Sequence, residues 1–112
     1  MESILVSIKK MLGIGEDYNA FDAELTVIIN SGLMVLNQVG VGTEGFSITG
    51  DSETWNDFLG ERHAKLFGAK DWMYCFVRIQ FDPPSSSFLL GALKDMKDEL
   101  ESRLKTQSEV LQ

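Results

Sequence analysis

Between Trp72 and Phe81 the only clearly polar side chains are Arg78 and Gln80. A segment that is apolar nearly all round has no face to offer water, so it belongs at the centre of a packed domain. Asp82, Pro83 and Pro84 must end it, because the residue before a proline avoids helical angles and proline itself lacks a donor. The pattern therefore predicts a helix over residues 63–81 with a sharp helix break at 82–84. The rest of the chain has to wrap round it. With 112 residues there is enough chain to do so. Surface scaling gives about 6,200 Å² for the folded monomer against roughly 18,000 Å² unfolded, so a core needs no staples.

Helical spacing recurs on both sides of that segment. Ile4, Leu5, Ile8, Met11 and Leu12 make one stripe, and Gly13 stands where a left-handed stop is wanted. A second stripe runs through Phe21, Leu25, Ile28, Ile29, Leu33 and Leu36. Asn19 is its expected cap, with Asp22 at the positive dipole end and Gly40 closing it. Gly40, Gly42, Gly45 and Gly50 punctuate a long loop expected to be exposed. Asp51 or Ser52 then caps a short helix carrying Trp55, Phe58 and Leu59, which Gly60 ends. After the proline break, Ser85, Ser86 and Ser87 offer caps to a last helix whose seam is Leu89, Leu93, Met96, Leu100 and Leu104. Glu99 with Arg103 and Glu101 with Lys105 are acid-before-base pairs four apart, each worth about 0.2–0.5 kcal/mol. Beyond Thr106 the chain turns polar and is expected to fray. The expected fold is all-α, a small bundle of four to five helices with a long Gly-rich loop. Its domain spans residues 1–104 and its carboxyl-terminal tail residues 105–112.

Charge narrows the choice of function. The net charge is −7, and residues 13–62 carry nine acids against Arg62 alone. Nucleic-acid binding draws on Lys and Arg that neutralise phosphates, so this chain is poorly suited to gripping DNA. No apolar run approaches the roughly 18 residues of a bilayer span, and Lys9 and Lys10 follow the first apolar patch rather than precede it as in a secretory signal. A single cysteine, Cys75, excludes an internal disulfide. Synthesis in a reducing cytoplasm is the expectation.

Chemical motifs are sparse. Gly40, Gly42 and Gly45 match G-x-G-x-x-G, but a helix precedes them where the dinucleotide fingerprint needs a strand. His63 is the only histidine, so one subunit cannot build a two-histidine metal site. It also stands twelve positions, about 18 Å of helix, from Cys75, too far for a nucleophile pair. Neither an enzymatic activity nor a cofactor or metal is expected. Asn30 and Asn37 share one face of a largely apolar helix. There they either set packing or an interface, or are hydrogen-bonded locally or simply exposed.

Several stretches taken together carry a resemblance. Leu12-Gly13-Ile14, Asp17-Tyr18, Phe21-Asp22 and Ile29-Asn30-Ser31 appear in order. They are followed by Leu36-Asn37-Gln38-Val39-Gly40-Val41-Gly42 and by Trp55-Asn56-Asp57-Phe58-Leu59. The run Val77-Arg78-Ile79-Gln80-Phe81-Asp82-Pro83-Pro84 closes the series. The pattern resembles the small head–tail connector (adaptor) proteins of long-tailed bacteriophages and prophages, over roughly residues 12–104. The resemblance implies a structural protein of the virion neck, a dodecameric ring of identical subunits beneath the portal protein, with DNA only as passing cargo. A further neck or tail-completion protein would dock below. In related connectors the carboxyl-terminal segment reaches the portal, which makes Lys105, Gln107, Val110 and Leu111 the candidate docking residues. Gly42, Thr43, Glu44, Phe46 and Ile48 are candidates for contact with a neighbouring subunit or the next neck protein. The competing reading is a small acidic helical regulator or inhibitor that binds one host protein.

Overall fold

The computed structural model describes residues 2–60 and 68–110. Among them lie five helices, α1 (Ile4–Met11), α2 (Asp22–Gln38), α3 (Trp55–Leu59), α4 (Gly68–Phe81) and α5 (Ser87–Val110). The only extended pairing in the described residues is one isolated antiparallel bridge between Ser3 and Thr54. The fold is all-α. The expected start of the central helix, at His63, lies outside the described residues.

α4 packs against α1, α2 and α5, as a segment apolar nearly all round should. Ala69, Trp72, Met73, Cys75 and Val77 are buried, and Phe76 stacks on Trp72 with centroids 4.9 Å apart. On α2 the predicted stripe holds at Leu25, Ile29, Leu33 and Leu36, all buried. Burying each contributes about 1.5–3 kcal/mol. The two helices cross closely at Gly32, where an added Cβ would stand 2.6 Å from Met73 Sδ.

The helix caps differ from expectation in two places. Asn19 does not cap α2: Phe21 holds the cap position without a side-chain bond, and Asn19 only accepts the Asp22 N–H through its carbonyl. Neither Asp51 nor Ser52 caps α3. Thr54 does, accepting the Asp57 N–H, while the Asp57 carboxylate accepts the Thr54 N–H to close a capping box. Thr54 is chosen because the chain is extended there. The Ile4 N–H donates to the Glu53 carbonyl and the Trp55 N–H to the Glu2 carbonyl, which holds residues 53–55 beside the amino end. The Trp55 indole N–H completes this join on Ser7 Oγ at 2.7 Å.

The glycine-rich segment, expected to be exposed, is exposed only in part, at Thr43, Glu44, Gly45, Ser47 and Thr49. Val41 and Ile48 are buried in the core, and Phe46 packs on Phe58 with ring centroids 5.4 Å apart. Gly42 has φ +82°, and a Cβ there would fall 2.3 Å from the Phe58 ring, so both the backbone angle and the space demand glycine. Composition marked the bends, while Val41, Phe46 and Ile48 carry the segment inward between them.

α5 also departs from expectation. The polar end expected to fray beyond Thr106 stays helical to Val110, and within it Ser108 is buried, one turn past buried Leu104. Ser108 Oγ lies 3.0 Å from the Val39 carbonyl and 2.8 Å from that of Lys105. Large apolar side chains are exposed in its first half, Phe88 and Leu89 in the first turn and Met96 further on.

Candidate docking surfaces

Two asparagines hold the glycine-rich segment against α2. The Asn30 side-chain amide donates to the Ile48 carbonyl at 3.0 Å, and its oxygen accepts the Ile48 N–H at 2.7 Å. One turn-pair along the same face, the Asn37 amide donates to the Gly42 carbonyl at 3.2 Å. The seven-residue spacing aims both amides at one loop, where each satisfies backbone groups that no ladder reaches. Thr43 closes the far side, its N–H and hydroxyl both donating to the Phe58 carbonyl. Glu53 then fastens the end of the segment by accepting the Thr49 N–H and hydroxyl, each at 2.9 Å.

These bonds decide what the segment can offer outward. Of the five residues predicted to make contacts here, Ile48 is buried, Gly42 is covered by Phe58 and Phe46 is half-buried. Thr43 and Glu44 are the exposed pair. The three G-x-G-x-x-G glycines follow α2, with no strand before them, so the dinucleotide geometry is not assembled.

At the other end of the chain, Lys105, Gln107 and Val110 are exposed on the last turns of α5, with Val110 81% accessible. Leu111 lies outside the described residues. Glu99 pairs with Arg103 at 2.7 Å as predicted. Glu101 does not pair with Lys105; it accepts the Trp72 indole N–H at 3.1 Å and lies 3.8 Å from Lys97. Asp82, Pro83 and Pro84 follow the end of α4 where the break was predicted, and the Asp82 N–H still caps back onto the Arg78 carbonyl.

Cys75 is buried with its sulfur 3.7 Å from Met96 Sδ, and burial pushes its thiol up, aided by Asp71, which opposes nucleophilic use. Among the described residues no three His, Cys, Asp or Glu side chains gather as a metal site, and no helix is long and apolar enough to cross a membrane. His63 lies outside the described residues.

Sequence reasoning missed Lys9. Its side chain is 2% exposed, with Nζ 2.9 Å from Asp22 Oδ1 and donating to the Glu16 carbonyl at 3.0 Å. It thereby ties α1, the following turn and α2 together. A lysine at the edge of an apolar stripe reads as solvated, and the pairing with Asp22 needs the fold to bring them together.

A family model described as "Phage connector protein" matches residues 4–110. No curated protein and no solved structure matches the chain.

Proposed function

The chain belongs to the phage connector protein family, and from that premise we propose that it forms a ring beneath the portal, joining the DNA-filled head to the tail. It is a structural connector of the phage particle. The observation that carries the finer reading is the extent of the family match, which takes in all five described helices, the glycine-rich contact residues and, of the docking candidates, Lys105, Gln107 and Val110. In this reading identical subunits meet side by side, a dodecamer on the portal, and DNA passes through the lumen. The exposed last turns of α5, with Lys105, Gln107 and Val110, dock on the portal. Thr43 and Glu44 face a neighbouring subunit or the next neck or tail-completion protein. The subunit works by contacts rather than by chemistry and becomes part of the virion neck after synthesis in the host cytoplasm.

The test is decoration of purified portal, read by electron microscopy and native mass spectrometry. The double variant Lys105→Glu, Val110→Asp changes only exposed side chains, so it should fold with an unaltered melting temperature. It should bind portal at least about tenfold more weakly, a loss of roughly 1.4 kcal/mol. Equal decoration by variant and parent would refute the assignment of the docking end. Failure of the parent chain to decorate any portal from its own phage would refute the ring reading and favour a regulator of a host protein.

A further inference from the structure

One end of the bundle gathers features that the connector reading does not use. Where α4 stops, Leu12, Ile14, Phe21 and Phe81 line a groove of about 440 Å³, with Glu24 and Asp82 completing its walls. That volume falls in the roughly 300–1,000 Å³ range of ligand-binding clefts. Its aromatic side is open. Tyr18 is 54% and Phe21 39% exposed, and they form a ladder in which Tyr18 lies 5.6 Å from Phe21 and Phe21 meets Phe81 edge-on at 5.1 Å.

The electrostatics of this end are one-sided. The segment that supplies Leu12, Ile14 and Phe21 also carries exposed Glu16 and Asp17. Among the described residues three cations lie near in sequence or space, and two are engaged. Lys9 is buried on Asp22 and the Glu16 carbonyl, and the Arg78 guanidinium donates to the Tyr74 hydroxyl and the Asp82 carbonyl. Lys10 is exposed. Against them stand Glu16, Asp17, Glu24 and Asp82, all exposed. An apolar floor, open aromatic faces and a carboxylate rim complement one kind of occupant. A phosphate-bearing polymer is repelled by the rim. A cationic side chain finds carboxylates to pair with and aromatic faces to lie over, while a neighbouring apolar side chain fills the floor.

We propose that this groove binds a partner protein through a segment presenting a lysine or arginine beside a large apolar side chain. The assignment goes beyond the connector reading and does not depend on it, since it concerns a surface distinct from the last turns of α5.

The experiment titrates the full-length ¹⁵N-labelled chain with the peptide acetyl-KKFLRK-amide and follows backbone amide shifts. Two control peptides, acetyl-EEFLEE-amide and acetyl-KKGGRK-amide, remove the charge and the apolar anchor in turn. The basic apolar peptide should shift amides within residues 12–24 and 81–82 and bind with a dissociation constant below about 1 mM, weakening at least about tenfold between low and high salt. Each control should bind at least about tenfold more weakly. The double variant Glu24→Gln, Asp82→Asn, which alters exposed groups only, should keep its melting temperature and lose the peptide. Shifts centred elsewhere, equal binding of all three peptides, or undiminished binding by the double variant would overturn the proposal. So would concentration-dependent shifts of the same amides without peptide, which would give the groove to a second copy of the chain.

Discussion

Asn30 shows how much structure one side chain can hold. Its amide satisfies both backbone groups of Ile48, a buried residue eighteen positions away. Replacing it with alanine leaves a buried N–H and C=O unpaired, so Asn30→Ala should destabilise the domain by about 1–3 kcal/mol in urea unfolding. Asn37→Ala, which removes one longer bond to Gly42, should cost less. Glu53 supplies a pH-dependent counterpart. Burial raises its pKa, but the hydrogen bonds from Thr49, together with those from the Glu53 and Gly50 backbone, outweigh this and hold the carboxyl below its ordinary value of 4.5. A depressed folded-state pKa stabilises above the unfolded value, and that stability is lost as pH falls through the folded one. The melting-temperature gap between the parent chain and Glu53→Gln should therefore be open at pH 6 and close as the pH is lowered toward 3. A constant gap would show that Glu53 acts through shape alone. The spacing of Asn30 and Asn37 was visible in the sequence, and so was the choice between packing and exposure. Their partners were not, because a side chain that bonds a loop eighteen residues on leaves no periodic trace.

Helices were legible wherever an apolar stripe and a stop signal coincide, as in α1 before Gly13 and α4 before Asp82-Pro83-Pro84. Caps were less so. At α2 the cap position falls on Phe21 rather than Asn19. Asp51 and Ser52 are competent caps for α3, but the bridge between Ser3 and Thr54 keeps the chain extended through residue 54 and hands the role to Thr54. The glycine-rich segment misled for a related reason. Glycines report bends, whereas burial follows the apolar residues between them and the asparagines that satisfy its backbone. On α5 the seam of five residues is evenly apolar in sequence, yet only part of it meets α4. The two helices run antiparallel, with Gly68 facing Leu100 and Leu104, and Cys75 meeting Met96. In that register α4 ends before the first turn of α5 is covered. Leu104 is 1% exposed and Leu89 is 55% exposed. Leu104→Ala should thus cost about 2–5 kcal/mol and Leu89→Ala less than about 0.5 kcal/mol in chemical denaturation. The reverse order would mean that the first turn of α5 carries the bundle.

At the scale of the whole molecule, charge separates what the chain touches from what it lets pass. Physical reasoning reached a helical, acidic subunit. The connector role came instead from runs such as Leu36-Asn37-Gln38-Val39-Gly40-Val41-Gly42, whose specificity lies in letters rather than in periodicity. Part of that run now has a physical sense, since Asn37 and Gly42 belong to the loop clamp. In the proposed ring, a subunit beside a DNA channel must not hold its cargo, and a net charge of −7 with no base between Lys10 and Arg62 serves that requirement. Each phosphate contact needs a Lys or Arg free to release a counterion. Among the described residues many are already engaged: Lys9 with Asp22, Lys70 with Glu2, Lys97 with Asp98 and Glu101, and Arg103 with Glu99. The carboxylates of residues 13–60 add repulsion that salt screens only beyond about 8 Å. The free subunit at micromolar concentration should therefore give no shifted band with duplex DNA at physiological salt. Lowering the salt should recover at most weak binding without sequence preference. A submicromolar dissociation constant would contradict the charge argument and require basic residues to be gathered on one face. Raising the affinity should take charge reversal on the acidic stretch, as in Glu44→Lys with Asp51→Lys, both exposed. That variant should fold normally and bind DNA more tightly than the parent, with a salt slope steeper by about two counterions.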